Sequence, residues 1–292
     1  MLSILIPVYN YDILPLVEEI HLQATTSKIA FEIIIIDDCS TQILFDVEKF
    51  KEFSTTKLII LKNNIGRSAI RNLLTTKANY NNLLFIDAGT FPKSKTFIED
   101  YIKNVDKDII VGGMIAEHLA PKKPYKLRWL YTKKRETCYD KNKVNRKIFT
   151  SANFLIKKHI IQSFPFDDNI KKYGFEDFIF FNTLKVNALK LHFINNPVIH
   201  DSKEDASTFI RKTKDGLENL IQLSQKNNDL LYDIKIIKLH STLKTIGLDK
   251  VSLFVFKLIK ALLIKNLNSS YPSLLLFDFY KLGYFCHLNS KN

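Results

Sequence analysis

The stretch "FEIIIIDDCS", residues 31–40, joins a continuous apolar run to two adjacent carboxylates. Four consecutive isoleucines leave no polar face, so a strand formed here, over residues 31–37, must be covered on both sides, as in the parallel sheets of α/β proteins. The carboxylates follow at the point where such a strand ends. Ligands of open α/β sheets bind beyond the carboxyl ends of the strands, so this stretch predicts both a central strand and a site.

The same alternation recurs through the first half of the chain. Further apolar runs are "LSILIPV" (2–8), "KLIILK" (57–62), "LLFID" (83–87) and "DIIVGG" (108–113), with helical patterns such as those at 14–24 and 67–78 between them. Strands that alternate with helices predict an α/β fold, with a Rossmann-like, mostly parallel sheet flanked by helices. Polar residues collect where the strands end, in "PVYN", "DDCS", "NNIGR" and "DAGT".

Charge predicts an anionic partner. The 292-residue chain has 43 Lys and Arg against 30 Asp and Glu, a net charge of +13. Thirteen of the basic residues lie between Pro121 and Lys158, which favours a segment that faces phosphates or a membrane over a merely solvated surface. Three widely separated cysteines indicate neither a disulfide framework nor a metal knuckle. Met1 runs directly into "LSILIPV" without a basic n-region, so we expect a cytoplasmic protein.

A nucleotide site in this sheet would have to be built from side chains. No GxGxxG follows the first strand, and no P-loop motif is present in the sequence. Tyr9 has a ring that can stack on a base, and Asp37 or Asp38 can accept a hydrogen bond from base or ribose. Ordinary turn chemistry explains an Asp after a strand equally well, so the pair alone leaves both interpretations open.

The stretch "YGFEDFIFF", residues 173–181, sets Glu176 and Asp177 at the start of an otherwise apolar helical run. Acidic groups in a first turn favourably oppose the helix dipole, which is the structural interpretation. The functional interpretation is a catalytic carboxylate at the edge of a cleft. Successive helical residues point about 100° apart, so the two carboxylates are not expected to serve the same spot. Gly174 permits a tight turn before them.

Taken together, "SILIPVYN", "EIIIIDDCS", "NNIGRSAIRNLL", "LLFIDAGT" and "YGFEDFIFF" resemble, in order and spacing, the family 2 glycosyltransferases of the GT-A fold. "LRWLYTKKRE" (127–136) and "SANFLIKK" (151–158) resemble a bacterial branch that often makes surface polysaccharide. The resemblance extends from Met1 to about Asp205. It implies a GT-A domain over 1–203, with a nucleotide half at about 1–113 and an acceptor half at about 114–203, followed by a helical region over 204–292.

The resemblance also implies a reaction and its residues. A sugar would pass with inversion from a nucleotide diphosphate sugar, by family habit a UDP-sugar, to a hydroxyl of a glycan or lipid-linked glycan. The resemblance implies that Asp177 is the base. The reaction needs such a group, because an acceptor hydroxyl is a poor nucleophile until a carboxylate takes its proton. The expected donor contacts are Pro7, Tyr9, Asp38, Arg67 and Asp87. Asn153 and Glu176 are expected to contact the acceptor or the sugar.

One departure from the family pattern concerns the metal. The usual D-x-D is here Asp87-Ala88-Gly89, so the second carboxylate that ligates Mg²⁺ or Mn²⁺ is replaced by glycine. His200 stands where relatives often place a histidine near the metal or phosphates, and Lys203 follows at HxxK spacing. Three explanations are open: a weak metal on Asp87 and His200, Lys and Arg side chains of the basic segment in place of the metal, or no catalysis.

Two rival functions follow. A degenerate glycosyltransferase would bind nucleotide or glycan without turnover. A nucleic-acid-binding protein would use the basic residues with Tyr125, Trp129, Tyr131 and Tyr139, but no nucleic-acid module is recognisable and we expect no nucleic-acid partner. The helix at "VSLFVFKLIKALLIK" (251–265) is apolar with a narrow border of lysines. It predicts either contact with an anionic membrane, peripherally at the inner face of the cytoplasmic membrane, or packing on the domain or on a second subunit as a homodimer.

Overall fold

The computed structural model describes residues 1–137, 148–170, 173–225, 231 and 234–290. Within these residues the strands are Leu2–Val8 (β1), Phe31–Asp37 (β2), Thr56–Ile60 (β3), Asn82–Ile86 (β4), Thr90–Pro92 (β5), Ile109–Val111 (β6), Met114–Ala116 (β7), Asn153–Lys157 (β8), Leu191–Phe193 (β9) and Val198–His200 (β10). The helices are Leu14–Thr26 (α1), Arg67–Lys77 (α2), Phe97–Ile102 (α3), Lys126–Tyr131 (α4), Lys158–Ser163 (α5), Glu176–Val186 (α6), Ala206–Ser224 (α7), Lys235–Thr245 (α8), Leu248–Leu267 (α9) and Leu274–Asn289 (α10). A short 3-10 helix covers Glu48–Glu52, and a π-helical turn covers Thr132–Glu136.

The chain divides into two compact units. The first comprises residues 1–116, 136–171 and 176–201, and the second comprises 117–135, 172–175 and 202–292. The predicted boundary after residue 203, and the nucleotide and acceptor halves before it, stay predictions. The second unit includes 117–135 because α4 packs against α7.

The first unit is built on a seven-stranded sheet in the order β3-β2-β1-β4-β8-β6-β9. Its pairs are parallel except for β8, which runs antiparallel to both β4 and β6. A smaller sheet has the order β5-β10-β7. The predicted α/β fold with a mostly parallel sheet is therefore confirmed, and β1 and β2 have the predicted bounds.

Continuous apolar runs form the central strands because both faces of the large sheet are covered. Successive side chains of a strand point to opposite faces. In β2, Ile33 and Ile35 join a core cluster that includes residues of α1 and α3, whereas Ile34 and Ile36 join a second cluster with residues of α2, α5 and α6. Each of the four isoleucines is at most 1% exposed. Because both faces of the strand are buried, every position in this run requires an apolar side chain.

Aromatic rings fix helix α6 against the second face of the sheet. Phe180 stacks on Phe166 with ring centroids 3.9 Å apart and also contacts Phe154 of β8. Phe181 packs edge-on against Phe154 as well. Gly174 precedes the helix with a φ of 103°, a region that favours glycine. The apolar run in "YGFEDFIFF" therefore anchors the helix whose first residues are Glu176 and Asp177.

The second unit is helical and has its own apolar core. Residues of α4, α7, α9 and α10 contribute to this core, including Leu127, Phe209, Phe256 and Phe277. A Cβ at Gly283 would lie 2.3 Å from Cγ of Phe256, so only glycine allows α9 and α10 to pack this closely. The predicted C-terminal helical extension is confirmed.

Candidate active site

The carboxyl edge of the large sheet brings together the loops that the sequence predicted as a site. Strands β3, β2, β1 and β4 are neighbours and run parallel, so their carboxyl ends meet at one edge. Pro7 lies near the end of β1, where it pairs with Ile36 of β2. The ladder between β1 and β4 reaches only Leu5 and Phe85, which suits a residue without an N–H.

The loops after β1 and β2 are fastened to each other. The backbone N–H of Asn10 donates to Ser40 Oγ at 2.7 Å, and Asn10 Oδ1 accepts the N–H of Thr41 at 2.8 Å. Asn10 has a φ of 52°, which Asn tolerates better than most residues. Next to it Tyr9 is 50% exposed, so its ring is accessible as a stacking surface. Sequence reasoning missed Asn10, although an Asn directly after a strand signals a turn.

Asp37, the last residue of β2, and Asp38, which follows it, both take part in turn chemistry. Asp37 is fully buried and accepts the N–H and the hydroxyl of Ser40, at 2.7 and 2.6 Å. Asp38 accepts the N–H groups of Ile65 and Gly66, at 2.7 and 3.0 Å, just before α2 begins. These bonds hold the loop that leads into α2. The predicted contact of Asp38 with a nucleotide stays a prediction, and the turn interpretation accounts for the contacts present.

Two arginines and two carboxylates form an ion network beside the end of β4. Arg71 Nη2 donates to Asp87 Oδ1 at 2.6 Å, and Arg67 Nη2 lies 3.5 Å from Asp87 Oδ2. Arg67 Nε lies 2.6 Å from Oε1 of Glu176, which is 5% exposed. The two arginines are four residues apart on α2, so they lie on the same side of the helix. The network connects α2, the end of β4 and the first residue of α6.

The two arginines differ in burial. Arg71 is 1% exposed, its guanidinium lies 5.6 Å from the ring centre of Phe166, and it also donates to the carbonyl oxygen of Arg67. A buried charge requires such partners. The side chain of Arg67 remains 40% exposed. Sequence reasoning named Arg67 and missed Arg71, although the i,i+4 spacing in "RSAIR" places both on one helix face.

Asp177 and Glu176 have different partners, as expected from their separation around the helix. Asp177 Oδ2 accepts the N–H of Ser151 at 3.1 Å. Within the described part of the chain, Asp177 Oδ1 is buried and accepts no hydrogen bond. A buried carboxylate oxygen without a partner carries a desolvation cost that native structures rarely leave uncompensated. Glu176 instead pairs with Arg67, so the first carboxylate is held in the ion network and the second is not.

Asn153 is a buried residue of the large sheet. It is fully buried in β8, where its Nδ2 donates to the carbonyl oxygens of Gly113 and Asn196, both at 2.8 Å. Its Oδ1 accepts the hydroxyl of Tyr101 at 2.5 Å. This geometry gives Asn153 a structural role that links four segments of the first unit. Its predicted contact with acceptor or sugar stays untested.

The remaining predicted residues lie beyond the large sheet. His200 ends β10, where it pairs with Thr90 of β5, and is half-buried. The following residue, Asp201, donates its backbone N–H to the carbonyl oxygen of Gly89 at 2.9 Å. Its carboxylate accepts a hydrogen bond from the hydroxyl of Tyr11. Lys203 is exposed and belongs to the second unit.

The basic segment between Pro121 and Lys158 is described only in part, since residues 138–147, including Tyr139, lie outside the described residues. In the described part, Trp129 is buried and donates its indole N–H to the carbonyl oxygen of Glu117 at 2.8 Å. Tyr131 packs against Phe209 and Phe277. Trp129 is thus buried and Tyr131 packs against the core of the second unit, which removes part of the aromatic surface that favoured nucleic-acid binding.

A family model decides the identity of the chain. The model of glycosyl transferase family 2 matches residues 3–164, more than half of the sequence. The chain belongs to glycosyltransferase family 2. This match includes the network of Arg67, Arg71 and Asp87. It ends before the helix that carries Glu176 and Asp177. No curated protein matches the chain.

One solved structure extends the likeness in fold of this family 2 member to almost the full chain. The mannosyltransferase PcManGT from Pyrobaculum calidifontis, in complex with GDP-Man and Mn²⁺, superposes with a TM-score of 0.54 at 12% identity, covering 99% of this chain and 86% of that one. S. aureus TarS 1-349 in complex with UDP gives 0.49 at 16% identity, covering 99% and 91%. Another S. aureus TarS structure gives 0.44 at 18% identity, and this chain spans 39% of its length. The likeness to PcManGT shows a shared fold.

The family implies a divalent cation, and the residues present do not fit one that is held tightly. Gly89 supplies no ligand, and Asp87 already pairs with Arg71 and Arg67. In the ranges that the structure describes, no group of three or more His, Cys, Asp or Glu side chains could hold a metal ion. Hard cations require several oxygen ligands. The role of Asp87 and His200 as metal ligands stays a prediction that this geometry does not favour.

Proposed function

We propose that this family 2 member is an inverting glycosyltransferase that moves a hexosyl or hexosaminyl group from a nucleotide diphosphate sugar to a hydroxyl of a glycan or lipid-linked glycan. One observation carries the proposal: Asp177 is held at the start of α6 with one carboxylate oxygen fixed by the N–H of Ser151 and the other without a hydrogen bond in the described residues. A positioned carboxylate with one uncommitted oxygen has what a general base requires.

The proposed reaction is a single displacement. Asp177 takes the proton of the acceptor hydroxyl while the acceptor oxygen forms a bond to the anomeric carbon of the donor. The bond between that carbon and the diphosphate oxygen breaks, and its electron pair stays on the diphosphate. Attack opposite to the leaving group inverts the configuration. Deprotonation in the transition state typically contributes a factor of 10² to 10⁴ to the rate, by order of magnitude.

The leaving diphosphate needs positive charge, and we assign part of it to Arg67. Its guanidinium lies at the carboxyl edge of the sheet, is partly exposed, and is oriented by Glu176 and Asp87. Oriented cations stabilise charge that develops in a transition state. Lys203 and the basic segment are further candidates. Glu176 then acts mainly by positioning Arg67, and its contact with acceptor or sugar is the second role that we propose for it.

The proposed donor is a UDP-sugar, bound through Pro7, Tyr9 and Asp38. The exposed ring of Tyr9 next to the carboxyl ends of β1 and β2 supports a stacked base. PcManGT, which shares the fold, is bound to GDP-Man and Mn²⁺. This supports a nucleotide sugar as the donor and a divalent cation that binds with it. Because Gly89 replaces a ligand, we propose that Mn²⁺ or Mg²⁺ binds this chain weakly.

We further propose that the acceptor belongs to bacterial surface polysaccharide synthesis and that the enzyme works in the cytoplasm, peripherally at the inner face of the membrane. The resemblance of "LRWLYTKKRE" and "SANFLIKK" to the bacterial branch supports this assignment. No helix within the described residues is both long and apolar enough to span a bilayer.

The test is a panel of UDP-, GDP- and dTDP-sugars, with and without Mn²⁺, screened first by thermal shift and then for hydrolysis and transfer. We expect one nucleotide to stabilise the protein and its sugar to be released or transferred. The Gly89 replacement also supports a second function, a degenerate homologue that binds nucleotide without turnover. Stabilisation by a nucleotide sugar without any hydrolysis or transfer would favour that second function.

A further inference from the structure

Helix α9 carries a row of large apolar side chains that face solvent rather than the core of its own unit. The row consists of Leu248, Val251, Phe254, Val255, Leu258 and Leu262, which are between 36% and 67% exposed. Their spacings of three, four and seven residues place them along one side of a helix. We define these six side chains as the outer face of α9.

The opposite side of the same helix already satisfies the core of the second unit. Phe256, Leu263 and Leu267 are buried there, and Ile259 and Ile264 pack against that core. The helix therefore has two apolar sides where a surface helix of a globular protein normally has one. Single exposed hydrophobic residues are ordinary, but a contiguous exposed patch marks a surface that binds something.

The basic residues around the outer face of α9 favour an anionic partner. Residues 235–267, which include α8 and α9, contain seven lysines and only Asp249 as an acidic residue. Lys250, Lys257 and Lys265 are exposed, and at about 100° per residue the first two lie along one border of the outer face while Lys265 lies at its end. A second copy of the chain would bring an equally basic border against this one, which like-charge repulsion disfavours. An anionic lipid surface provides the complementary charge.

We infer that the outer face of α9 inserts into the headgroup boundary of an anionic phospholipid leaflet, with the helix parallel to the membrane plane. Interfacial helices bury their apolar side about 5–10 Å deep while basic side chains contact the lipid phosphates. The inference deepens the proposed function, because it would place the enzyme beside a lipid-linked acceptor. Binding to lipid does not require turnover, so the two claims fail separately.

The experiment is flotation of the full chain with vesicles of phosphatidylcholine alone or mixed with phosphatidylglycerol. We expect the protein to float with the mixed vesicles at low ionic strength and to stay behind with phosphatidylcholine alone. Raising the salt until the Debye length is about 3 Å should release most of it, because lysine contacts to the leaflet are screened.

The double variant Phe254→Gln, Leu258→Gln tests the outer face directly. We expect its partition onto mixed vesicles to fall at least about tenfold, since burial of each side chain contributes more than a factor of ten. The matched control is Leu22→Gln, Val186→Gln, which removes two equally exposed apolar side chains from the first unit. This control should float like the wild type. A cooperative urea unfolding transition, monitored by circular dichroism, checks that both variants are folded.

Three outcomes would overturn the inference. The first is no flotation of the wild type with mixed vesicles at low salt. The second is equal flotation of the wild type and the Phe254→Gln, Leu258→Gln variant. The third is a wild-type dimer in light scattering that the same variant converts to a monomer, together with absent flotation, which would make the outer face a contact between copies. Normal transfer activity in any of these cases would leave the proposed function intact.

Discussion

The carboxyl edge of the large sheet buries charged side chains, whereas the outer face of α9 exposes apolar ones. At the sheet edge, Arg71 is 1% exposed and its charge is compensated by Asp87 and by the ring of Phe166. On α9, Phe254 and Leu258 are each more than 60% exposed. Both arrangements oppose the usual distribution of side chains, in which charges are solvated and large apolar groups are covered.

The difference between the two regions lies in how each cost is offset. The sheet edge compensates its charges inside the unit, through an ion network whose members come from α2, the residue after β4 and α6. Within the described residues the outer face of α9 is exposed, and on our inference the compensation comes from a lipid leaflet. A region of the first kind fixes geometry for chemistry, and a region of the second kind binds a surface.

The largest effect is expected from Asp177→Asn at the sheet edge. The amide cannot take the acceptor proton, so transfer should fall about 10³-fold while nucleotide affinity stays nearly unchanged. Initial rates with a saturating donor and nucleotide titration measure the two quantities. The control is Glu176→Gln, at the residue next to Asp177. Glutamine has nearly the shape of glutamate, and this substitution should lower the transfer rate less than Asp177→Asn does. Equal transfer by wild type and Asp177→Asn would remove Asp177 from the mechanism.

The next effect compares a buried ion pair with an exposed one. Arg71→Met leaves Asp87 without its closest partner and should lower the free energy of unfolding by about 3 kcal/mol. Arg135 pairs with Asp278 at a similar distance of 2.7 Å in the second unit, but both side chains are at least 40% exposed. Arg135→Met should therefore cost less than about 1 kcal/mol. Urea unfolding monitored by circular dichroism gives both values, and similar losses in the two variants would contradict the contrast.

A third experiment restores the D-x-D pattern of the family at the sheet edge, by the substitution Gly89→Asp. A Cβ at Gly89 would lie 3.7 and 3.9 Å from ring atoms of Tyr11, an ordinary contact, so Gly89→Asp should fold. The added carboxylate should strengthen Mn²⁺-dependent nucleotide binding about tenfold, since hard cations gain affinity from each charged oxygen ligand. Calorimetric titration with Mn²⁺ or EDTA measures it, with Gly89→Asn as the uncharged control. The prediction is wrong if the wild type itself holds Mn²⁺ tightly and needs it to bind nucleotide. In that case the wild-type side chains hold the metal without a carboxylate at position 89.

The smallest effect concerns a helix terminus in the second unit. Asp205 caps α7 by accepting the N–H of Thr208, and this bond holds the pKa of Asp205 below its ordinary value. A lowered pKa in the folded state gives stability that is present near neutral pH and lost as pH falls through that pKa. Asp205→Ala should cost about 1 kcal/mol of unfolding free energy at neutral pH and less in acid.

Ser273 caps α10 in the same way without a charge, by accepting the N–H of Leu276. Ser273→Ala should therefore show a cost that does not change over the same pH range. Urea titrations of both variants and the wild type at several pH values provide the comparison. A cost of Asp205→Ala that is independent of pH would show that the charge contributes nothing to the cap.

The residues that sequence reasoning placed correctly follow local patterns. The bounds of β1 and β2 were predicted because continuous apolar runs need no knowledge of their neighbours to be recognised as buried strands. The start of α2 at Arg67 was predicted from the helical pattern at 67–78, which is also local. The insertion of β8 between β4 and β6 was not predicted, because strand order depends on contacts across many residues of sequence.

The sequence by itself determined that the chain is a family 2 glycosyltransferase with an α/β fold, that its polar loops follow parallel strands, and that its last third is helical. The tertiary structure alone decided that Glu176 pairs with Arg67, that Asn153 is buried in a structural role, and that α9 turns six apolar side chains outward. The physical reason is the separation along the sequence over which each kind of interaction acts. Periodicity and turn chemistry act between residues a few positions apart, whereas ion pairs and burial depend on which distant segments the fold brings together.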